Sequence, residues 1–279
     1  MSYTCFDVTL GKKIAHIRLT RPEAYNSMVP EFWQELPEIV NTLDETGEAR
    51  AIVLSSTGKH FTAGMDLAVF TSDGGVAGSE GEPGRRRANL RRDILRLQQT
   101  FGCLDRARIP VLAAVQGGCI GGGVDLISAC DMRYCTEDAF FCIQEINIGM
   151  TADVGTFPRL PHLIPQGLVR ELAYTGRRLP AQEALDVGLV NRLYPSHDAL
   201  LEGVMEIAAE IAARSPLAVW GSKEMLNYAR DHSIADGLDY IATWQTGMFQ
   251  PTDMMEAFAA RQEKRDPEYA DLLPLKKKL

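Results

Sequence analysis

The 279-residue chain contains no apolar run near the roughly 20 residues that a membrane-spanning helix requires. It also lacks an excess of positive charge. With 29 basic against 37 acidic residues the net charge is −8, the wrong sign for a surface that follows a phosphate backbone, so no membrane and no nucleic-acid partner is expected. The six cysteines form no CxxC pair and the five histidines no HExxH. Without those spacings there is no metal-ligand pattern, and the expectation is buried, reduced thiols and no metal. The first residues, Met1-Ser2-Tyr3-Thr4-Cys5-Phe6, show no basic segment leading into an apolar one, which makes the cytoplasm the default location. Lys277-Lys278-Leu279 is only distantly like a peroxisomal Ser-Lys-Leu ending and reads as a solvated basic tail.

What the chain does have is concentrated in residues 110–160. A strand-like run, Val111-Leu112-Ala113-Ala114-Val115, leads into Gly117-Gly118-Cys119-Ile120-Gly121-Gly122-Gly123 and on into a helix through Val124-Asp125-Leu126-Ile127-Ser128. Glycines permit positive φ and close approach, and a helix start leaves N–H groups unpaired, so this corner suits an anion. It has neither the Gly-Lys-Ser/Thr ending of a P-loop nor a GxGxxG spacing, which favours an oxyanion over a phosphate. Three acids accompany it: Asp125 in the first helical turn, Glu145 after the apolar run Ala139-Phe140-Phe141-Cys142-Ile143, and Asp153 in the following loop. Singly, each has a bland explanation in a helix dipole, a solvated strand end or a cap. Together they are a proton-transfer set beside an anion site.

The remaining chain reads as scaffold. Phe6 to Leu10 and Lys13 to Leu19 alternate as a hairpin, with Asn26 bracing the turn beyond it. Phe32, Leu36, Ile39, Val40 and Leu43 follow helical spacing, interrupted by Pro37 and ended by Gly47. Residues 71–87 read as a mobile Gly, Ser, Glu and Arg loop before a helix from Ala88 to Leu104, and Arg85, Arg86, Arg87, Arg91, Arg92 and Arg96 form the one basic cluster. After residue 196 the pattern is helical, so we expect a core over residues 1–196 and a helical cover and assembly region over 197–279.

The segment Gly118-Cys119-Ile120-Gly121-Gly122-Gly123-Val124-Asp125 through Cys130-Asp131-Met132-Arg133-Tyr134 resembles the signature of the crotonase, or enoyl-CoA hydratase/isomerase, superfamily. Gln144-Glu145 through Asp153-Val154-Gly155-Thr156 is most similar to its Δ3,5-Δ2,4-dienoyl-CoA isomerase branch. Arg21-Pro22-Glu23-Ala24-Tyr25-Asn26 and Phe61-Thr62-Ala63-Gly64-Met65-Asp66-Leu67 extend the likeness. The resemblance implies an α/β spiral of strand-strand-helix repeats with a helical C-terminal region, assembled as a trimer or a dimer of trimers. It implies an acyl-CoA thioester substrate in fatty acid β-oxidation and no separate cofactor, coenzyme A being part of the substrate. By the same resemblance Asp153 is the base at C2, Glu145 the donor at C6, and Asp125 a support. The backbone N–H groups of Met65 and Gly122 form the oxyanion hole, and Ala63, Gly64 and Asp66 lie along the substrate. Hydration between Asp125 and Glu145, a Δ3-Δ2 isomerisation, and acyl-CoA binding without chemistry are the competing readings. The arginine cluster, as contacts to CoA phosphates, is left open.

Overall fold

The computed structural model describes residues 3–66, 69 and 82–275. The hairpin forms as expected: β1 (Phe6–Gly11) and β2 (Ile14–Leu19) are antiparallel, with Phe6 opposite Leu19. The helix α1 (Phe32–Thr46) follows, then β3 (Ala51–Ser56), parallel to β2. From α2 (Pro83–Arg106) the chain enters β4 (Val111–Val115) and, after two residues, β5 (Gly118–Ile120). A short helix, α3 (Gly122–Ser128), leads to β6 (Met132–Thr136) and at once to β7 (Phe140–Cys142).

A repeat is visible in this order. Each turn lays a strand in one sheet, a short strand in a second sheet, and then a helix. The first sheet runs β2, β3, β4, β6 in parallel, with β1 at one edge. The second pairs β5 with β7 in parallel and continues through single parallel bridges, Thr62 with Cys119 and Met28 with Met65. The chain therefore climbs as a spiral, and the corner between the sheets recurs at each step. This is the crotonase-like α/β spiral that the resemblance implied.

The remaining elements cover it. They are α4 (Thr156–Arg159), α5 (Gln166–Thr175), β8 (Leu179–Pro180), α6 (Ala181–Asp186) and β9 (Arg192–Tyr194), where β8 closes the second sheet and β9 the first. Four helices come last: α7 (His197–Ala212), α8 (Pro216–Tyr228), α9 (Ile234–Met248) and α10 (Pro251–Glu263).

Strand periodicity sorts the core into two clusters. Ile52, Leu54, Val111, Ala113 and Val115 face the interior of the spiral, while Ala51, Val53, Leu112 and Ala114 point the other way. That second face is sealed by Leu200, Val204, Ala208 and Ala212, one stripe of α7 at four-residue spacing. The central strands are thus buried on both faces, which is why they read as unbroken apolar runs rather than as alternation.

Pro37 does not end α1. A proline there leaves the carbonyl of Trp33 without its helical donor, and the hydroxyl of Thr100 on α2 supplies one at 3.1 Å. Thr100→Val is therefore expected to lower the unfolding free energy by about 1 kcal/mol, read as a shifted midpoint in chemical denaturation. An unchanged midpoint would show that water or a bent helix serves the carbonyl as well.

The start of α2 differs from the sequence expectation. Residues 71–81 of the expected loop, residues 67, 68 and 70, and residues 276–279 lie outside the described residues. Residues 83–87, however, are helical rather than loop. Pro83 takes the first helical position, where its missing N–H is harmless, and the Glu82 carboxylate caps the amides of Gly84 at 2.7 Å and Arg85 at 3.1 Å.

Beyond α10 the chain returns across the core. The Asp271 carboxylate accepts from Lys13 Nζ and from Arg50 Nε, the Leu273 carbonyl from Arg108, and the Leu275 amide donates to the Glu45 carbonyl at 2.8 Å. Among the described residues no helix is long and apolar enough to cross a membrane, and no group of three His, Cys, Asp or Glu side chains is placed to hold a metal ion.

Candidate active site

The corner of the spiral positions two backbone donors. In the bridge between Met28 and Met65, Met28 donates to the Gly64 carbonyl at 2.8 Å and accepts from the Asp66 amide at 3.1 Å. The Met65 N–H, between them, points to the opposite side of its strand. There it meets the start of α3, whose first amide, Gly122, has no partner within the helix. Gly64 has φ +85°, and a Cβ on it would lie 2.7 Å from the Ile120 carbonyl and 3.3 Å from the Gly122 nitrogen. The two donors therefore sit side by side because Gly64 carries no side chain.

The preceding turn holds this strand. Asn26, 2% exposed, accepts from the Arg21 amide and donates to the Thr57 and His60 carbonyls. It braces the turn as the sequence indicated. Ala63 donates its amide to the Tyr25 carbonyl at 2.9 Å, and the Ser27 hydroxyl donates to the Asp66 carboxylate at 2.9 Å. Ala63, Gly64 and Asp66 thus form one rigid edge next to the donors.

The three acids come from three elements. Asp125, fully buried on α3, accepts the Thr156 amide at 2.6 Å on Oδ1, while its Oδ2 has no protein partner. Glu145 opens a 3-10 turn, Glu145–Ile148, closed by Gly149 at φ +76°. Its Oε1 would lie 3.3 Å from a Cβ on Gly121, and its Oε2 is buried without a partner. Asp153 keeps an exposed side and is held through its carbonyl by Gln98 Nε2 at 2.7 Å.

Electrostatics distinguishes the three carboxyls. Burial, then the neighbouring Asp125 charge, pushes Glu145 up to about 7. Burial likewise pushes Asp125 up to about 6, opposed by its bond from Thr156. Burial also raises Asp153, with less protein around it. Asp125 and Asp153 both raise Glu145, and Asp153 raises Asp125, so the structure brings all three to one place. Of Asp125 and Glu145, Glu145 is raised further toward neutral pH.

The apolar residues on either side of Glu145 are not all buried. Phe141 and Ile143 are buried in the core, and Phe140 lies against the His60 ring and under the Arg178 guanidinium, but Ile148 is 48% exposed. It falls on the outer side of the 3-10 turn and cannot desolvate Glu145. The α2 arginines stand on an exposed face, where Arg85 approaches Glu82 at 3.5 Å and Arg96 approaches Asp93 at 3.8 Å. Two neighbours of the acids escaped the sequence reading: Gln98, one polar residue on a charge-rich helix, and Arg159, which no local pattern marks.

Comparison with known proteins identifies the family. The enoyl-CoA hydratase/isomerase family model matches residues 9–272. The chain is 46% identical over 268 residues to the rat mitochondrial Δ(3,5)-Δ(2,4)-dienoyl-CoA isomerase, covering 95% of this chain and 81% of that protein. It is 42% identical to the peroxisomal isomerase of the same name from Arabidopsis thaliana, covering 93% of each. The crystal structure of an enoyl-CoA hydratase from Bacillus anthracis superimposes with a TM-score of 0.84 at 30% identity, covering 95% of this chain and 99% of that one. The names mitochondrial and peroxisomal overturn the cytoplasmic expectation. Cellular address is written in signals apart from the folded site, so composition was no guide to it. The chain belongs to the enoyl-CoA hydratase/isomerase family.

Proposed function

We propose that the protein isomerises 3,5-dienoyl-CoA thioesters to 2,4-dienoyl-CoA. The observation that carries this reading is the third acid: Asp153 joins Asp125 and Glu145 beside two unpaired amides. The names of the relatives support it.

In this reading the thioester oxygen accepts from the Met65 and Gly122 amides. Asp153 takes the proton from C2, breaking the C2–H bond and leaving a dienolate whose charge spreads from the thioester oxygen to C6. Glu145 then gives its proton to C6, and the double bonds settle at C2 and C4. Asp153 ends protonated and Glu145 ionised; before the next turnover Asp153 gives its proton to solvent from its exposed side and Glu145 takes one up in exchange. The amides act on a charge that exists only along the reaction path, which is where such donors contribute most. Asp125, bound to Thr156, lends negative charge that keeps Glu145 protonated.

The test is the ultraviolet absorption of the conjugated 2,4-dienoyl thioester, followed as purified protein acts on a 3,5-dienoyl-CoA beside a 2-enoyl-CoA. Growth of that absorption supports the proposal. Loss of the enoyl signal with the dienoyl substrate untouched would instead make Asp125 and Glu145 a hydratase pair.

The pH dependence follows from the same assignment. Turnover needs Glu145 protonated, and its value is pushed up to about 7, so kcat is expected to fall as the pH rises above that value. A rate that climbs steadily to pH 9 would remove Glu145 as donor.

We also propose a homo-oligomer, a trimer or a pair of trimers. Ile234 at 85%, Leu238 at 64% and Phe258 at 61% exposure leave an apolar face on α9 and α10 that favours burial against another copy. Light scattering that gives a monomer mass would exclude it.

A further inference from the structure

The loop that carries Asp153 is held by groups outside the carboxylate set. Gln98 on α2 donates to the Asp153 carbonyl at 2.7 Å. Seven residues further along the same helix, Asp105 receives Arg159 through Nε at 2.8 Å and Nη2 at 2.6 Å. Between these two attachments lies Gly155, at φ +147°, with Arg159 Nη1 occupying the space a side chain would need: a Cβ there would lie 2.0 Å from it. The next amide, Thr156, is the one bound to Asp125. Asp105 is itself fixed by Asn227 on α8, at 2.9 Å on its carbonyl, and by Arg230 just beyond that helix, at 3.0 Å on Oδ1.

Resting on the dienoyl isomerase reading, we infer that Arg159 and Gln98 are positioning residues, which together set the distance of the Asp153 carboxylate from the carbon it deprotonates. Neither touches the substrate. A side chain that serves only stability would need one anchor anywhere on the helix. Here two anchors bracket the short segment that carries the base on one side and the Asp125 contact on the other. A forked guanidinium fixes orientation as well as distance, which a single ammonium does not. Proton transfer is steeply sensitive to that distance, so a small drift of the loop falls on kcat more than on substrate binding.

The charged groups around the loop are Asp125 on α3, Glu145 on its 3-10 turn, Asp105 on α2, His162 after α4, and Arg230 and Asp231 just after α8. Of the two anchors, only Arg159 brings charge to them. The two substitutions therefore have different signatures.

The experiment compares Gln98→Ala and Arg159→Lys with the wild type on a 3,5-dienoyl-CoA across pH, with thermal melting of each. Gln98→Ala is expected to lower kcat about 10-fold with KM and the pH profile unchanged. Arg159→Lys, which keeps the charge but not the fork, is expected to lower kcat about 30-fold, again with the pH profile in place. Arg159→Met is expected to shift the pH profile as well, because Asp125 loses the neighbouring cation that lowers its value. If Gln98→Ala and Arg159→Lys fold and keep kcat within twofold of the wild type, the inference fails while the isomerase reading stands. If the wild type leaves the dienoyl substrate unchanged, both fail.

Discussion

Asp153→Asn is expected to reduce kcat on a 3,5-dienoyl-CoA about 1000-fold, with KM changed only a few-fold, because the amide keeps the shape and loses the base. Glu145→Gln is expected to do the same by removing the donor. Their stabilities should not follow their activities. Glu145 is raised to about 7 from 4.5 and Asp125 to about 6 from 3.8, so between the unfolded and folded values the native state binds more protons. These groups contribute stability at low pH that is lost as the pH rises through 6 to 7. Glu145→Gln, neutral at every pH, is therefore expected to melt above the wild type at pH 8. At pH 4, where the native carboxyl is also neutral, the difference closes. His16 and His197, whose values burial lowers, favour stability in the opposite direction, but they are common to both proteins and cancel in the comparison. A Glu145→Gln protein with full activity, or one that melts below the wild type at pH 8, would remove Glu145 from its assigned role.

The second large effect belongs to a residue with no side chain. Gly64→Ala places a methyl group against the Ile120 carbonyl at 2.7 Å and forces a left-handed backbone on alanine. The Ile120 strand cannot yield without displacing Gly122, so the two amides separate. A loss of about 100-fold in kcat is expected, the scale of a missing oxyanion donor. Gly167→Ala is the control: that glycine lies in α5 with nothing within 4 Å of the added carbon. It is expected to keep activity and gain a few tenths of a kcal/mol in stability, as alanine favours a helix. Equal kinetics for the two variants would mean that the Met65 and Gly122 amides do not act on the reacting oxygen.

The strand ending at Val115, the glycine corner and Asp125 in the first turn of a helix were legible because unbroken apolar runs and glycine spacing are local signals. The first and last helices were legible for the same reason. The start of α2 was not, since Glu82-Pro83-Gly84 reads as a turn until the carboxylate of Glu82 is seen capping the helix. β8 has two residues and β9 three, too few for a period. Of the site, the acids could be found because each follows a patterned element. Their supports could not: Gln98 reaches Asp153 across 55 positions and Arg159 reaches Asp105 across 54, separations at which sequence spacing says nothing.

The return of the tail across the core has a consequence for how the chain acquires its shape. Lys13 meets Asp271 over a separation of 258 residues, and Arg50 meets the same carboxylate over 221. A ribosome releases the hairpin and the early spiral long before that carboxylate exists. The growing chain can stack its turns one on another as they emerge, since each new strand pairs with the one just laid down. The fastening that joins the first strands to Asp271 waits until that residue has been made. Until then the spiral is an open coil of correct pitch, and the final step resembles closing a clasp rather than adding another turn.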